Sequence, residues 1–420
     1  MNSESTRRDF LKTAVAAASF PAIVSAAPNS DQLRIGLVGC GGRGTGAAAQ
    51  ALNADSNVVV SALGDVFQAP IQRSLSILRT KAPDKVKVTP EQCFVGFDAY
   101  QKVIANSDVV LLTTPPGFRP LHLKAAIDAG RHAFIEITAG VDAPGVRSVL
   151  ESAELARKKG LGILSGFCWR YNLRHRGALE QIRAGAIGEI RAIYATYLRG
   201  SLTQSHHGPR EPWMSDLQWQ FRNWHNYTWL SGDVTILLSG GHSVDKMSWW
   251  LGDVMPLKAV ATGSRQFEAE GNIFDNCSVA YEYANGLRGF LACRSQAGCH
   301  GENSDYIIGT KGVCTIGRGP LPFITGETTW RYSGVQNDMY QTEHDEFFAS
   351  IRAGWPINDG TRMAHTTLMG IMGRMAAYTG QEITWEMALN SQERLVPEVL
   401  DWNAKFGLPP LAVPGVTKFV

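Results

Sequence analysis

Two sets of residues in this 420-residue chain have the types and spacing to do chemistry. The first is Gly39, Gly41 and Gly44, with Gly42 and Arg43 between them and Asp65 beyond. An apolar run, Ile35 to Val38, leads straight into these glycines, and the small residues Ala47 to Ala51 continue as a helix. Strand, glycine turn and helix in that order form a dinucleotide-binding pattern. Gly39 permits the tight turn, Gly41 admits a pyrophosphate against the backbone, and Gly44 lets the helix pack on the strand. Free N–H groups and the positive dipole end at the helix start then favour phosphate. A second apolar strand, Val58 to Leu63, ends at Asp65, about 20 residues beyond the last glycine, where an acid accepts from ribose hydroxyls and repels a 2′-phosphate. NAD is therefore expected, with NADP disfavoured; capping of the following helix is the other role open to Asp65.

The second set is His242 with Asp245 three residues on. If Gly240 and Gly241 precede a helix, both side chains share one face of its first turn, and Asp245 orients an imidazole suited to general acid or base work near neutrality. The alternative is a buried helix-start histidine, with Asp245 serving the helix dipole. Arg170 is a candidate to face the substrate and Tyr171 a candidate proton donor. Six of the eleven tryptophans lie between residues 213 and 250. Trp224 and Trp229 are the candidates to stack on the C–H faces of a sugar ring, while Trp249 and Trp250 read as core. His206 and His207 have no metal-ligand spacing, and no metal site is expected.

These residues need elements to position them. Apolar segments at Cys93 to Val95, Val109 to Thr113, Ala133 to Ile135 and Leu161 to Leu164 alternate with helical stretches such as Phe118 to Ala129 and Ala143 to Lys159. That alternation predicts an α/β chain opening with a doubly wound parallel sheet, a Rossmann domain over residues 33–166. Ligands bind such sheets at the carboxyl ends of the strands. This places Thr113, Thr114 and Pro115, Glu136, and His122 in the following helix among the cofactor-binding residues. From residue 167 to 420 strand-like runs succeed one another, several joined by short turns such as Asn285-Gly286, predicting a second α/β domain with an open, mainly antiparallel sheet.

The ends and the composition set the remaining bounds. Thr6-Arg7-Arg8-Asp9-Phe10-Leu11-Lys12 has the form of a twin-arginine signal, followed by a mild apolar run ending in small residues near Ala27. Residues 1–27 read as a cleaved export signal, which implies the twin-arginine machinery as a partner, a periplasmic or otherwise exported protein, and no membrane span after cleavage. A formal net charge of +2 argues against nucleic acid as a partner. Seven scattered cysteines form no C-x-x-C pair. Cys293 and Cys299 read as either a bridge or a buried reduced pair.

Taken together, the ordered motifs resemble the Gfo/Idh/MocA family, named for glucose-fructose oxidoreductase, inositol dehydrogenase and a rhizopine catabolism protein. The resemblance rests on the glycine turn, on Thr113-Thr114-Pro115-Pro116, on Gly130 to Glu136, on Gly185 to Ile190 and on His242 to Gly252. It implies an oxidoreductase acting on sugars, glycosides or cyclitols, and a sheet that supports homo-oligomers. It also implies a catalytic Glu-Lys-Pro where this chain has Glu136, Ile137 and Thr138, and an aspartate where it has Leu238. Of the three usual proton-handling residues only His242 remains. Three functions follow as expectations: a sugar oxidoreductase with a tightly retained NAD(P), a redox-neutral glycosidase or epimerase, or a catalytically quiet nucleotide- and sugar-binding protein. Export favours retention, because no free nicotinamide pool exists outside the cytoplasm.

Overall fold

In the computed structural model, residues 31–201, 210–402 and 407–420 are described; the expected export signal and His206 and His207 lie outside them. Strand β1 (Leu33–Val38) pairs in parallel with β2 (Val58–Asp65) on one side and β4 (Val109–Leu112) on the other. With β3 (Cys93–Val95), β5 (His132–Ile135) and β6 (Ile163–Ser165) they form a six-stranded parallel sheet in the order β3-β2-β1-β4-β5-β6. The strand order reverses between β1 and β4, which opens a crevice at their carboxyl ends. Helices α1 (Gly42–Ala54), α2 (Gln68–Lys81), α3 (Ala99–Ala105), α4 (Arg119–Asp128) and α5 (Ala143–Lys159) are the crossovers. Helix α5 shows why this half reads clearly in sequence. Asp142 caps it by accepting from Gly145 N at 2.9 Å, Pro144 sits in the first turn, and Gly160 ends it at φ 66°.

After α6 (Leu173–Arg183) comes the second sheet: β7 (Ile190–Arg199), β8 (Lys258–Ser264), β9 (Asn276–Glu282), β10 (Arg288–Ser295), β11 (Asp305–Gly309), β12 (Gly312–Ile316), β13 (Phe323–Gly326), β14 (Trp330–Arg331) and β15 (Ile383–Thr384). Its order is β14-β13-β12-β11-β7-β10-β9-β8-β15, antiparallel throughout except where β7 meets β10. Asn285 and Gly286, at φ 63° and 78°, make the tight β9–β10 turn. Helices α8 (Gly240–Trp250) and α10 (Gly360–Thr379) cover one face of this sheet, and α10 also packs on α5. Helix α9 (Met339–Arg352) returns to the first sheet and packs on α1. Residues 32–420 form one compact unit.

Between the sheets, α7 (Asp216–Arg222) precedes a π-helical turn, Val234–Ser239, that runs directly into α8. Gly240 and Gly241 therefore lie inside a continuous helical run and do not precede it. Asp233, at φ 98°, starts the π turn. Its carboxylate accepts from Thr235 N, Ile236 N, Phe274 N and the Tyr378 hydroxyl, at 2.7 to 3.2 Å. All seven cysteines are free. Cys293 faces Cys277 across the β9–β10 ladder, whereas Cys299 is exposed, so Cys293 and Cys299 form neither a bridge nor a buried pair. No helix among the described residues is long and apolar enough to cross a membrane.

Candidate active site

A cavity of about 910 Å³ runs from the β1–α1 glycine turn, past the ends of β2, β4 and β5, to the start of α8. Gly39 turns at φ 94°, and a Cβ there would meet Thr114 N at 2.8 Å. Gly44 admits no side chain, because its Cβ would lie 2.1 Å from Gly39 O. Gly41 and Gly42 face open space, with nothing within 4 Å of a built Cβ, and no side chain caps the first turn of α1. Its free N–H groups are left for a ligand. Thr113 Oγ1 donates to Gly39 O at 2.6 Å and Val38 O at 3.0 Å, locking the turn against β4.

Asp65 lines the cavity but is partly engaged: Oδ2 accepts from Cys40 N at 2.8 Å and Oδ1 from Phe67 N at 3.0 Å. Burial raises its pKa, while the nearby Arg73, also on the cavity wall, works in the opposite direction. Thr114 Oγ1 meets His122 Nδ1 at 3.2 Å, and the His122 ring stacks 4.3 Å from Tyr100. Burial pushes the His122 pKa down to about 3, so the ring is neutral. Arg119, buried with its pKa pushed down to about 9, donates to Thr114 O and Thr138 O, both at 2.8 Å. It ties the two strand-end loops together, and Pro115 completes that wall.

At the deep end Arg43 reaches from α1 to three partners. Nε pairs with Glu136, Nη1 donates to Gln50 Oε1 at 2.8 Å, and Nη2 meets Glu343 Oε1 at 3.2 Å. Its guanidinium lies 4.9 Å from the Tyr340 ring. Burial and the Glu136 charge raise the Glu343 pKa well above the ordinary carboxylate value. His242 faces this group across the cavity, stacked 6.1 Å from Tyr197 and edge-on to Phe167 at 6.3 Å. Burial lowers its pKa to about 4, and its Nδ1 has no hydrogen-bond partner among the described residues. Ile137 and Leu238 line the same end and carry no proton.

Three expected site residues assemble elsewhere. Asp245 does not orient His242; it accepts from Arg170 Nε at 2.9 Å and pairs with Arg362 at 3.3 Å. Arg170 also pairs with Asp253 at 2.6 Å, and the Tyr171 hydroxyl donates to Asp359 Oδ2 at 3.4 Å. These groups form an ion network off the cavity wall, in which the buried Arg170 is held between the buried Asp245 and the exposed Asp253. Trp229 is likewise core, its Nε1 donating to Gln220 Oε1 at 2.7 Å behind Phe118 and Phe221. Trp224 does line the cavity, as do Tyr197, Arg199, Phe221, Arg222 and Tyr340, which the sequence did not single out. Tyr197 and Arg199 are readable in retrospect as an i, i+2 pair at the carboxyl end of β7; Tyr340 and Glu343 arrive from a helix some 300 residues beyond Arg43.

Two open α/β sheets meeting at a nucleotide-type crevice define the class of molecule. Residues 175–315, which run from α6 to β12, match the GFO/IDH/MocA C-terminal domain. The chain is 28% identical over 173 residues, 41% of its length and 36% of the relative's, to a glycosyl hydrolase family 109 protein of Shewanella amazonensis. It is 26% identical over 191 residues (43% and 39%) to an alpha-N-acetylgalactosaminidase of Shewanella oneidensis. The chain thus spans little more than a third of the length of the curated relatives it matches. In fold it resembles a scyllo-inositol dehydrogenase of Lactobacillus casei solved with NAD(H) and scyllo-inositol, with a TM-score of 0.65 at 19% identity over 85% of this chain and 100% of the other.

Proposed function

We propose that the protein is an enzyme that oxidises a hydroxyl of a sugar, glycoside or cyclitol with a tightly retained nicotinamide nucleotide, NAD in preference to NADP. The observation that carries this reading is one continuous cavity joining the open glycines 41 and 42 and Asp65 to His242 and Trp224. The uncapped N-terminus of α1, Asp65, the Thr113–Pro115 loop and Glu136 would hold the nucleotide. When bound, a nicotinamide ring accepts a hydride from a carbinol carbon and can return it. His242, a neutral imidazole on the cavity wall, takes the hydroxyl proton. Tyr197, on the same wall and kept protonated by burial, would hydrogen-bond the reacting oxygen and position it, in place of the role expected of Tyr171. Trp224 supplies the apolar face for the ring.

The names of the curated relatives favour a second outcome at the same site, glycoside cleavage with no net redox change. The NAD-loaded protein incubated with nitrophenyl glycosides and polyols distinguishes the outcomes. Nicotinamide reduction in step with substrate loss supports the oxidoreductase, phenol release without reduction supports the redox-neutral glycosidase, and neither, with nucleotide bound, leaves a binding protein. Export by the twin-arginine route to the periplasm remains part of the proposal. So does a homo-oligomer, which a cross-strand row on the open face of the second sheet would serve: Tyr194, Phe290 and Val260, 40%, 39% and 47% exposed.

A further inference from the structure

Beyond α10 the chain does not leave the molecule but crosses back over it. Arg147 of α5 donates to Leu389 O at 2.6 Å and Ser391 O at 3.0 Å, Glu393 pairs with Arg374, and Leu395 N donates to Asp142 Oδ2 at 2.9 Å. From that anchored stretch the chain reaches the nucleotide cavity, where Leu400 forms part of the wall. Trp402 then inserts among three aromatic rings that themselves line the cavity: Phe97 at 4.5 Å, Phe67 at 5.7 Å and Phe221 at 5.7 Å. Phe67 and Phe97 follow β2 and β3 and so stand at the Asp65 end, whereas Phe221 belongs to α7 and meets both, at 6.3 and 6.0 Å. Trp402 thus packs on a ring cluster that joins the Asp65 end of the cavity to α7.

We propose that residues 395–402 are a strap across the Asp65 end of the cavity, and that Trp402 is the positioning residue that sets how slowly a bound nucleotide leaves. The proposal rests on the nucleotide reading above. The strap gives retention a physical cause, because the adenosine end cannot withdraw past Leu400 until Trp402 comes out of its three-ring cluster. Such contacts act on dissociation far more than on association.

The experiment uses the full chain, loaded with NADH, and measures release by displacement with excess NAD while following nicotinamide fluorescence. Trp402→Ala is expected to speed release by about tenfold or more, the scale set by losing several aromatic contacts, with Trp402→Phe close to the unaltered protein. Release from Trp402→Ala within about twofold of the unaltered protein overturns the strap. Should Trp402→Ala not fold, hydrogen exchange on the unaltered protein decides: NADH is expected to slow the amides of residues 395–402, and no change overturns the proposal. An unaltered protein that binds no NADH overturns the nucleotide reading itself, which separates that failure from failure of the strap.

Discussion

His242 meets the cavity as a neutral ring, since burial holds its pKa at about 4. His242→Ala is expected to lower turnover by about a hundredfold or more while leaving nucleotide affinity unchanged, as measured by rates beside NADH titration; equal loss of both would make the ring structural. The network around Arg170 carries the opposite expectation. Tyr171→Phe removes one 3.4 Å hydrogen bond to Asp359 and should leave turnover intact. Arg170→Ala leaves the buried Asp245 carboxylate with Arg362 and Thr366 as its remaining side-chain partners and should cost about 1.5–3 kcal/mol in denaturant unfolding. That difference shows how legible single residues were. His242 stood out because its neighbours in sequence carried it, but Asp245 finds its partner 75 residues away. Spacing along one helix could not reveal that the carboxylate turns to Arg170 and away from the imidazole.

At the scale of elements the glycine turn makes the sharpest case. Gly44→Ala drives a methyl into Gly39 O, 2.1 Å away, and should displace α1, lowering both the thermal midpoint and nucleotide affinity. Gly41→Ala meets nothing within 4 Å, so the fold should hold while nucleotide affinity falls by about tenfold or more, a backbone–phosphate contact being worth about 1.4 kcal/mol. Calorimetry and NADH titration on the two variants separate packing from binding. Elements whose signals are local were readable: α5 carries its own cap in Asp142 and its own stop in Gly160. The π turn over residues 234–239 was not, because what holds it is tertiary. Asp233 at positive φ is tied by Phe274 N and Tyr378, each at least 41 residues away. That turn aims Leu238 and Ser239 into the cavity.

For the whole molecule, four buried histidines share one consequence. His122 and His344 have pKa values pushed down to about 3, His242 to about 4, and His175 well below its ordinary value, all by burial. The unfolded chain protonates these rings near pH 6.5 and the folded one does not. Stability is therefore full above that pH and is lost as pH falls toward the folded values. Burial also raises the carboxyls of Asp65, Asp305, Glu343 and Asp233, the last to about 6, and these oppose the histidines, while His132 and His365, lowered in the same way, act with them. The thermal midpoint is expected to drop by about 3 °C or more from pH 7 to pH 5; a constant or rising midpoint would contradict the burial. The two-sheet architecture was visible in sequence because strand and helix periods are local, whereas the return of α9 to α1 and of Trp402 to the cavity rests on contacts spanning some 300 residues. The central claim is that the cavity keeps a nicotinamide nucleotide. Its most direct test is to desalt the purified protein, denature it and assay the supernatant for NAD(P) and NAD(P)H. Near-stoichiometric nucleotide is the expected result; an empty protein that binds added NAD only weakly would contradict it.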